Sequence, residues 1–289
     1  MPNRGFYLDA GFLERLLGYL KQTGWDVVTI EEALHRSRRP DRGRFVNFSV
    51  DDCYRDTAEL VVPLFRRLGM PVTLFVTTGI PDGTLRLRNA GLETILQQRA
   101  WVTNAGVTYP LDTLPQKCAA FATISRRWDE ADSDQEYLGF CKAHGYDPHA
   151  LDQQHAITWD MLDTIRNDPL VEIGAHSISH PHISRLSPGN AALEMQGSRL
   201  RIEDRLQRPV QHFAFPFGRD ADCGPREFAL AGQAGFASAA TTRKGLLRPG
   251  RDPYRIPRNT LSGAHRSLLL AEAHLSGLTG LAARMVGRV

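Results

Sequence analysis

The feature that most constrains this chain is an alternation of short apolar runs with stretches whose apolar residues recur at helical spacing. The strand-like runs are FVNFSV (45–50), VTLFVTT (72–78), VEIGA (171–175), VQHFAFPF (210–217) and FASAATT (236–242). Helical patterns cover 56–69, 158–169, 187–207 and 224–236 between them. Before the first strand, residues 9–23 set Phe12, Leu13, Leu16, Leu17 and Leu20 on one face, with Asp9 as cap and Gly24 as stop. Parallel neighbours need a long crossover, and a helix supplies it, so this order predicts an α/β fold with a mainly parallel sheet. Residues 80–157 break the rhythm. They carry helical patterns near 115–130 and 133–144 but no buried strand, and read as an insertion packed on one face of a single domain spanning 1–289.

Composition narrows the function classes. The 35 basic residues stand against 32 acidic ones, and a net charge of +3 is too small to argue for a nucleic-acid partner. The arginine-rich stretch 36–44 reads as a solvated loop. No window approaches 18 consecutive apolar residues, so no membrane span is expected, and the C-terminal stretch 266–289 reads as a helix packed on the fold. Cys53, Cys118, Cys141 and Cys223 form no C-x-x-C pair, which predicts free thiols rather than disulfides or a thiolate zinc site. The N-terminus lacks a basic segment followed by an apolar one, so the expected location is cytoplasmic. Nothing in the sequence bounds the oligomeric state.

Ligands of parallel α/β folds bind where the strands end at their carboxyl side. Asp51 and Asp52 follow the 45–50 run, His176 opens HSISHPH after 171–175, and Pro216, Phe217 and Gly218 close the 210–217 run. A catalytic divalent site commonly takes two imidazoles and a carboxylate and leaves a position open. His176 and His180 can supply the imidazoles if the residues between them turn. Adjacent aspartates in an extended strand point oppositely, so one is expected to bind the ion while the other stands beside the attacking water. A pair of aspartates at a strand end also serves as a turn or helix cap, and His182, beside Pro181, is expected to pack or meet solvent.

In this order the motifs resemble those of the polysaccharide deacetylases of carbohydrate esterase family 4, which share the NodB homology domain. SVDDC (49–53) is similar to the family's T-F-D-D-G, HSISH (176–180) to its H-[ST]-x-x-H, and AFPFG (214–218) in part to its R-x-P-Y-G. The likeness extends over about residues 10–262. It implies a distorted (β/α) barrel of about seven strands, here lacking the first strand, because relatives carry a strand ahead of the amphipathic helix. A start assigned too late would account for the same shortfall and would reopen the question of export.

The resemblance further implies a divalent metal, foremost Zn2+ with Co2+, Ni2+ or Mn2+ as substitutes, held by Asp52, His176 and His180. Asp51 is then the general base. Pro216 and Phe217 shape the acetyl pocket, and the Phe217 backbone N–H helps to bind the oxyanion. The implied activity removes acetyl from N-acetylhexosamine residues of an oligo- or polysaccharide such as a chitooligosaccharide, an exopolysaccharide or a cell-wall glycan. The sequence also departs from the family pattern. Cys53 stands where the first motif has glycine and is expected to put a side chain beside the metal. Ala214 replaces an arginine that orients the catalytic aspartate, a role Arg258 in RIPRN is placed to take over. No clear counterpart exists for the family's acid histidine, for which His265 and His274 qualify by residue type alone. Two other readings stay open: an amidase acting on a non-sugar C–N bond, and a barrel that binds carbohydrate without turnover.

Overall fold

The structure is a computed structural model, and it describes residue 2 and residues 7–39, 43–131, 134–263 and 266–279. Residues 40–42 of the arginine-rich stretch, His265 and the end of the C-terminal stretch, 280–289, lie outside the described residues.

Helix α1 (Ala10–Gln22) opens on the Asp9 carboxylate, which accepts the Phe12 N–H at 2.7 Å, and buries Phe12, Leu13, Leu16, Leu17 and Leu20. The cap satisfies an N–H that no helical carbonyl can reach. Strand β1 (Asp26–Val27) leads through α2 (Ile30–Ser37) to β2 (Phe45–Val46), with which it pairs in parallel. The 45–50 run then continues as β3 (Ser49–Val50). A π-helical turn at Thr57–Val61 and α3 (Val62–Leu68) carry the chain to β4 (Val72–Val76), which is buried on both faces.

After residues 77–158 and α8 (Trp159–Ile165), β7 (Val171–Ala175) lies beside β4. Helix α9 (Pro188–Leu206) leads to β8 (His212–Ala214), and α10 (Pro225–Gln233) to β9 (Ser238–Ala240). These strands form a curled parallel sheet in the order β3-β4-β7-β8-β9, and Ile256 extends it by a parallel bridge to Ala240. Every crossover inside the sheet contains a helix, as the alternation predicted, and the carboxyl ends of the strands therefore open on one side. The main apolar core lies between sheet and helices and includes Leu17, Phe65, Leu74, Met195, Phe213 and Phe228. The last described helix, α11 (Leu268–Leu275), packs against α1 and buries Ala271. Among the described residues no helix is long and apolar enough to cross a membrane.

The interrupted region holds α4 (Arg88–Gln98), the antiparallel pair β5 (Trp101–Asn104) and β6 (Val107–Pro110), α5 (Leu114–Ala131), α6 (Asp134–Ala143) and α7 (Pro148–His155). It has its own apolar cluster around Leu92, Ile95, Ile124, Trp128 and Phe140. No buried strand was expected there, and the region carries this hairpin, buried only at Val102 and Asn104. Ala105 and Gly106 turn it with φ of +50° and +80°, and β6 is mostly exposed, so no apolar run announces it.

Candidate active site

Asp51 and Asp52 follow β3 directly, and the backbone turns sharply there. Asp52 and Cys53 both take φ of +64°, and the Cys53 N–H donates to the Asp51 carbonyl at 2.7 Å. A straight strand would point the two carboxylates to opposite sides; with this turn both approach His176 Nε2, Asp52 at 3.6 Å and Asp51 at 3.9 Å. Positive φ is costly for residues with a Cβ and gathers at functional sites. Here it recurs at Ser177 (+66°), His180 (+56°) and Phe217 (+60°).

Asp52, His176 and His180 converge, with one donor atom from each within 4.8 Å of the others. Asp52 Oδ1 lies 3.6 Å from His176 Nε2 and 3.4 Å from His180 Nε2. Ligands about 2.1 Å from a tetrahedral ion stand about 3.4 Å apart, so these residues fit a divalent metal. Their surroundings favour the same use. His176, buried after β7, gives its Nδ1 proton to the Ala214 carbonyl at 2.7 Å, which turns the Nε2 lone pair toward the cluster. Burial lowers the pKa of His180, against an opposing pull from Asp52, and so favours the neutral imidazole a metal requires.

The loop between the histidines is tied from both sides. Its Ile178 and Ser179 N–H groups donate to Glu194 of α9 at 2.8 and 3.0 Å, and the Ser179 hydroxyl donates to the same carboxylate at 2.7 Å. Ser177 Oγ accepts the His180 N–H at 3.0 Å.

Asp51 has a different environment. Arg258 arrives two residues after the Ile256 bridge and donates Nη1 to Asp51 Oδ1 at 2.6 Å and Nη2 to Oδ2 at 2.7 Å. Its Nε donates to the Thr241 carbonyl, Nη1 also to Ser49 Oγ, and the guanidinium lies 5.6 Å from the Phe75 ring centroid. Burial pushes the Asp51 carboxyl up. The charges of Arg258 and His176 and the hydrogen bonds from Arg258 outweigh it and bring the carboxyl down to about 2. Asp51 is therefore ionised at neutral pH, with Oδ2 3.9 Å from His176 Nε2.

Phe217 sits beyond β8 in a turn where the Gly218 N–H donates to the Pro216 carbonyl at 2.7 Å, and its ring centroid is 4.8 Å from that of His180. Thr242 holds the turn through Oγ1 to the Phe217 carbonyl at 2.6 Å. Asp51, Asp52, His176, His180, Phe217 and Arg258 thus meet at one end of the sheet.

A family model described as Polysaccharide deacetylase matches residues 38–235, more than half of the chain. The chain belongs to the polysaccharide deacetylase family. Solved structures agree in fold. The Streptococcus pyogenes deacetylase PplD in complex with acetate aligns over 94% of this chain and 89% of its own, with a TM-score of 0.64 and 13% identity. IcaB from Ammonifex degensii aligns over 92% and 90%, with a TM-score of 0.58 and 15% identity. A de-N-acetylase from Aggregatibacter actinomycetemcomitans aligns over 91% and 88%, with a TM-score of 0.55 and 13% identity. No curated protein matches the chain at the same stringency.

Two positions where this member of the family departs from its pattern, and one candidate for its acid histidine, can now be placed. Cys53 was expected to project beside the metal. It is instead fully buried, with Sγ against the carbonyls of Phe75 at 3.5 Å and Val50 at 3.8 Å, and it is not one of the three converging donors. Burial, reinforced by Asp52 and Asp51, pushes its thiol far up, so it stays protonated. Ala214 is buried beside Phe75, Ala240 and Ile256, and its carbonyl orients His176. His274 is buried in α11, with Nδ1 2.9 Å from Thr279 Oγ1.

His182, expected to pack or meet solvent, packs. Its ring lies flat on Phe217, with centroids 3.8 Å apart and planes 7° apart, and its Nδ1–H donates to Asp222 at 2.7 Å. The partner is forty residues away in a turn, and no local spacing links the two.

Proposed function

We propose that this chain removes the acetyl group from N-acetylhexosamine residues of an oligo- or polysaccharide at a metal-dependent centre. The observation that carries the reading is the adjacent pair of aspartates in two different settings: Asp52 among two imidazoles, Asp51 gripped by Arg258. Asp52, His176 and His180 would hold the divalent ion, foremost Zn2+ with Co2+, Ni2+ or Mn2+ as substitutes. When bound, it supplies Lewis acidity at the reacting acyl group.

The chain's own groups account for the rest of the chemistry. Asp51 accepts a proton from the attacking water, and Arg258 keeps that carboxylate ionised and fixed in plane. A carboxylate brought to about 2 is a weak base in water, so its strength here comes from proximity rather than basicity. The Phe217 N–H donates to the oxygen that gains charge as water adds to the acetyl carbon, and Pro216 shapes the wall of the acetyl pocket. Collapse breaks the C–N bond, frees acetate and leaves the sugar amine.

The reading of a barrel that binds without turnover rests on Cys53, Ala214 and the missing counterpart of the acid histidine. With Cys53 buried and Arg258 on Asp51, the first two lose that force. The deciding experiment is acetate release from short N-acetylglucosamine oligomers with each metal in turn, and with cyclic imides and ureides in parallel. Wild type should carry about one ion per chain, given one three-ligand site, and release acetate from the sugars. Asp51→Asn should keep the metal and lose acetate release, whereas His176→Ala should lose both. Hydrolysis of the imides alone would refute the sugar assignment in favour of an amidase.

A further inference from the structure

We propose that Asp222 and His182 are positioning residues that hold the Phe217 turn in its working conformation. The inference rests on the function proposed above only for what the turn does, not for how it is held.

Three observations carry it. First, Phe217 and Gly218 both sit at positive φ, +60° and +62°, and Phe217 is more than a third exposed (37%). A strained residue persists only where its surroundings restrain it, and an exposed ring gains little restraint from the core. Second, Thr242 holds the backbone of the turn through the Phe217 carbonyl, whereas the Phe217 ring itself is covered by the His182 ring, parallel to it at 3.8 Å. Aromatic pairs left to themselves prefer offset or edge-on arrangements with centroids 4.5–7 Å apart, so a flat, close stack needs something to impose it.

Third, Asp222 is placed to impose it. It is 4% exposed, and Oδ1 accepts the His182 Nδ1–H at 2.7 Å. Oδ2 accepts the Arg219 backbone N–H and Nε–H, both at 3.1 Å. A buried carboxylate is costly unless its partners are fixed, and these are fixed on both sides of the Phe217 turn. Arg219 follows Gly218 directly. The Ser184 hydroxyl donates to the Ala221 carbonyl at 2.7 Å, binding the His182 side to the Asp222 side a second time. The path from Asp222 through the imidazole to Phe217 ends beside His180, 4.8 Å from its ring.

Two readouts test this. Amide hydrogen exchange at residues 217–218 in the metal-loaded protein needs no substrate. Asp222→Ala and His182→Ala should each raise it about tenfold, as expected for a turn released from a local restraint. His182→Phe keeps a ring but loses the hydrogen bond that aligns it, and should raise exchange as Asp222→Ala does. Asp222→Ala should add less in the His182→Ala background than it does alone, because part of its effect passes through the His182 ring and the rest through Arg219. In acetate release, each alanine variant should lower kcat about tenfold to a hundredfold while KM and bound metal hold. Asp222→Asn, which still accepts from Nδ1, should recover most of the loss.

Unchanged exchange in both alanine variants, or additive effects in the double variant, overturns the proposal. So does a fall in metal content that accounts for the lost rate. If wild type releases no acetate from any N-acetylated sugar, the functional reading fails, and exchange at 217–218 still decides the positioning role.

Discussion

Arg258 reaches Asp51 across 207 positions of sequence and binds it through two parallel hydrogen bonds. The geometry explains how a chain with alanine at position 214 still orients that aspartate: the cation comes from the end of another strand. A lysine at 258 would keep the charge and lose the fork. Arg258→Lys should lower kcat about tenfold to a thousandfold with metal stoichiometry unchanged, as isothermal titration of the apoprotein and acetate assays would register together. Cys53 teaches a different lesson. The sequence shows that a side chain stands where relatives have glycine, but not which way it points. Since the residue sits at +64° with its thiol buried, Cys53→Gly should leave activity within about twofold of wild type. Cys53→Val, with a branched side chain in the same conformation, should lower unfolding stability by about 2–3 kcal/mol in a denaturant titration.

At the scale of elements, the loop from β7 to α9 shows how a helix can serve a site it never enters. Glu194 on α9 accepts three hydrogen bonds from residues 178–179, between the two histidines of the proposed metal site. Such outer partners typically set metal affinity by about ten- to a hundredfold, so Glu194→Ala should weaken metal binding by that amount in a competition with a chelating indicator, with the fold intact by circular dichroism. The same scale shows where sequence reading stopped. The crossover helices α3, α8, α9 and α10 announce themselves because each turns one apolar face to the core. Helix α4 does not, since it is enclosed by two clusters: Ala90 belongs to the main core and Leu92, Ile95 and Leu96 to the second. A helix buried on several sides has no apolar stripe to read.

Across the whole molecule, a polar network lies inside the curled sheet at the end away from the site. Glu172 Oε2 accepts from Thr73 Oγ1 at 2.6 Å and from the Ile30 N–H at 3.0 Å, and Oε1 faces His212 Nε2 at 3.4 Å. Asn47 donates to Thr73, and His212 Nδ1 lies 2.9 Å from Ser238 Oγ. Burial raises the Glu172 carboxyl, but His212, Thr73 and the Ile30 amide outweigh it and leave it below the ordinary glutamate range. A carboxyl with a depressed folded pKa stabilises the fold above its unfolded value of about 4.3 and loses that stabilisation as pH falls through the folded value. The gap in thermal midpoint between wild type and Glu172→Gln should therefore be widest at neutral pH and narrow as pH falls below the ordinary glutamate range. A gap that stays constant with pH would remove the ionised carboxylate from this role.

By itself the sequence determined the fold class, the order of the main strands and the residues at their ends, because a hydrophobic period and a short motif are both local properties. It could not determine which strand end supplies the partner of Asp51, where the Cys53 thiol turns, or that His182 lies flat on Phe217. Those depend on contacts between segments from 22 to more than 200 residues apart, and only the closure of the sheet and its loops decides them.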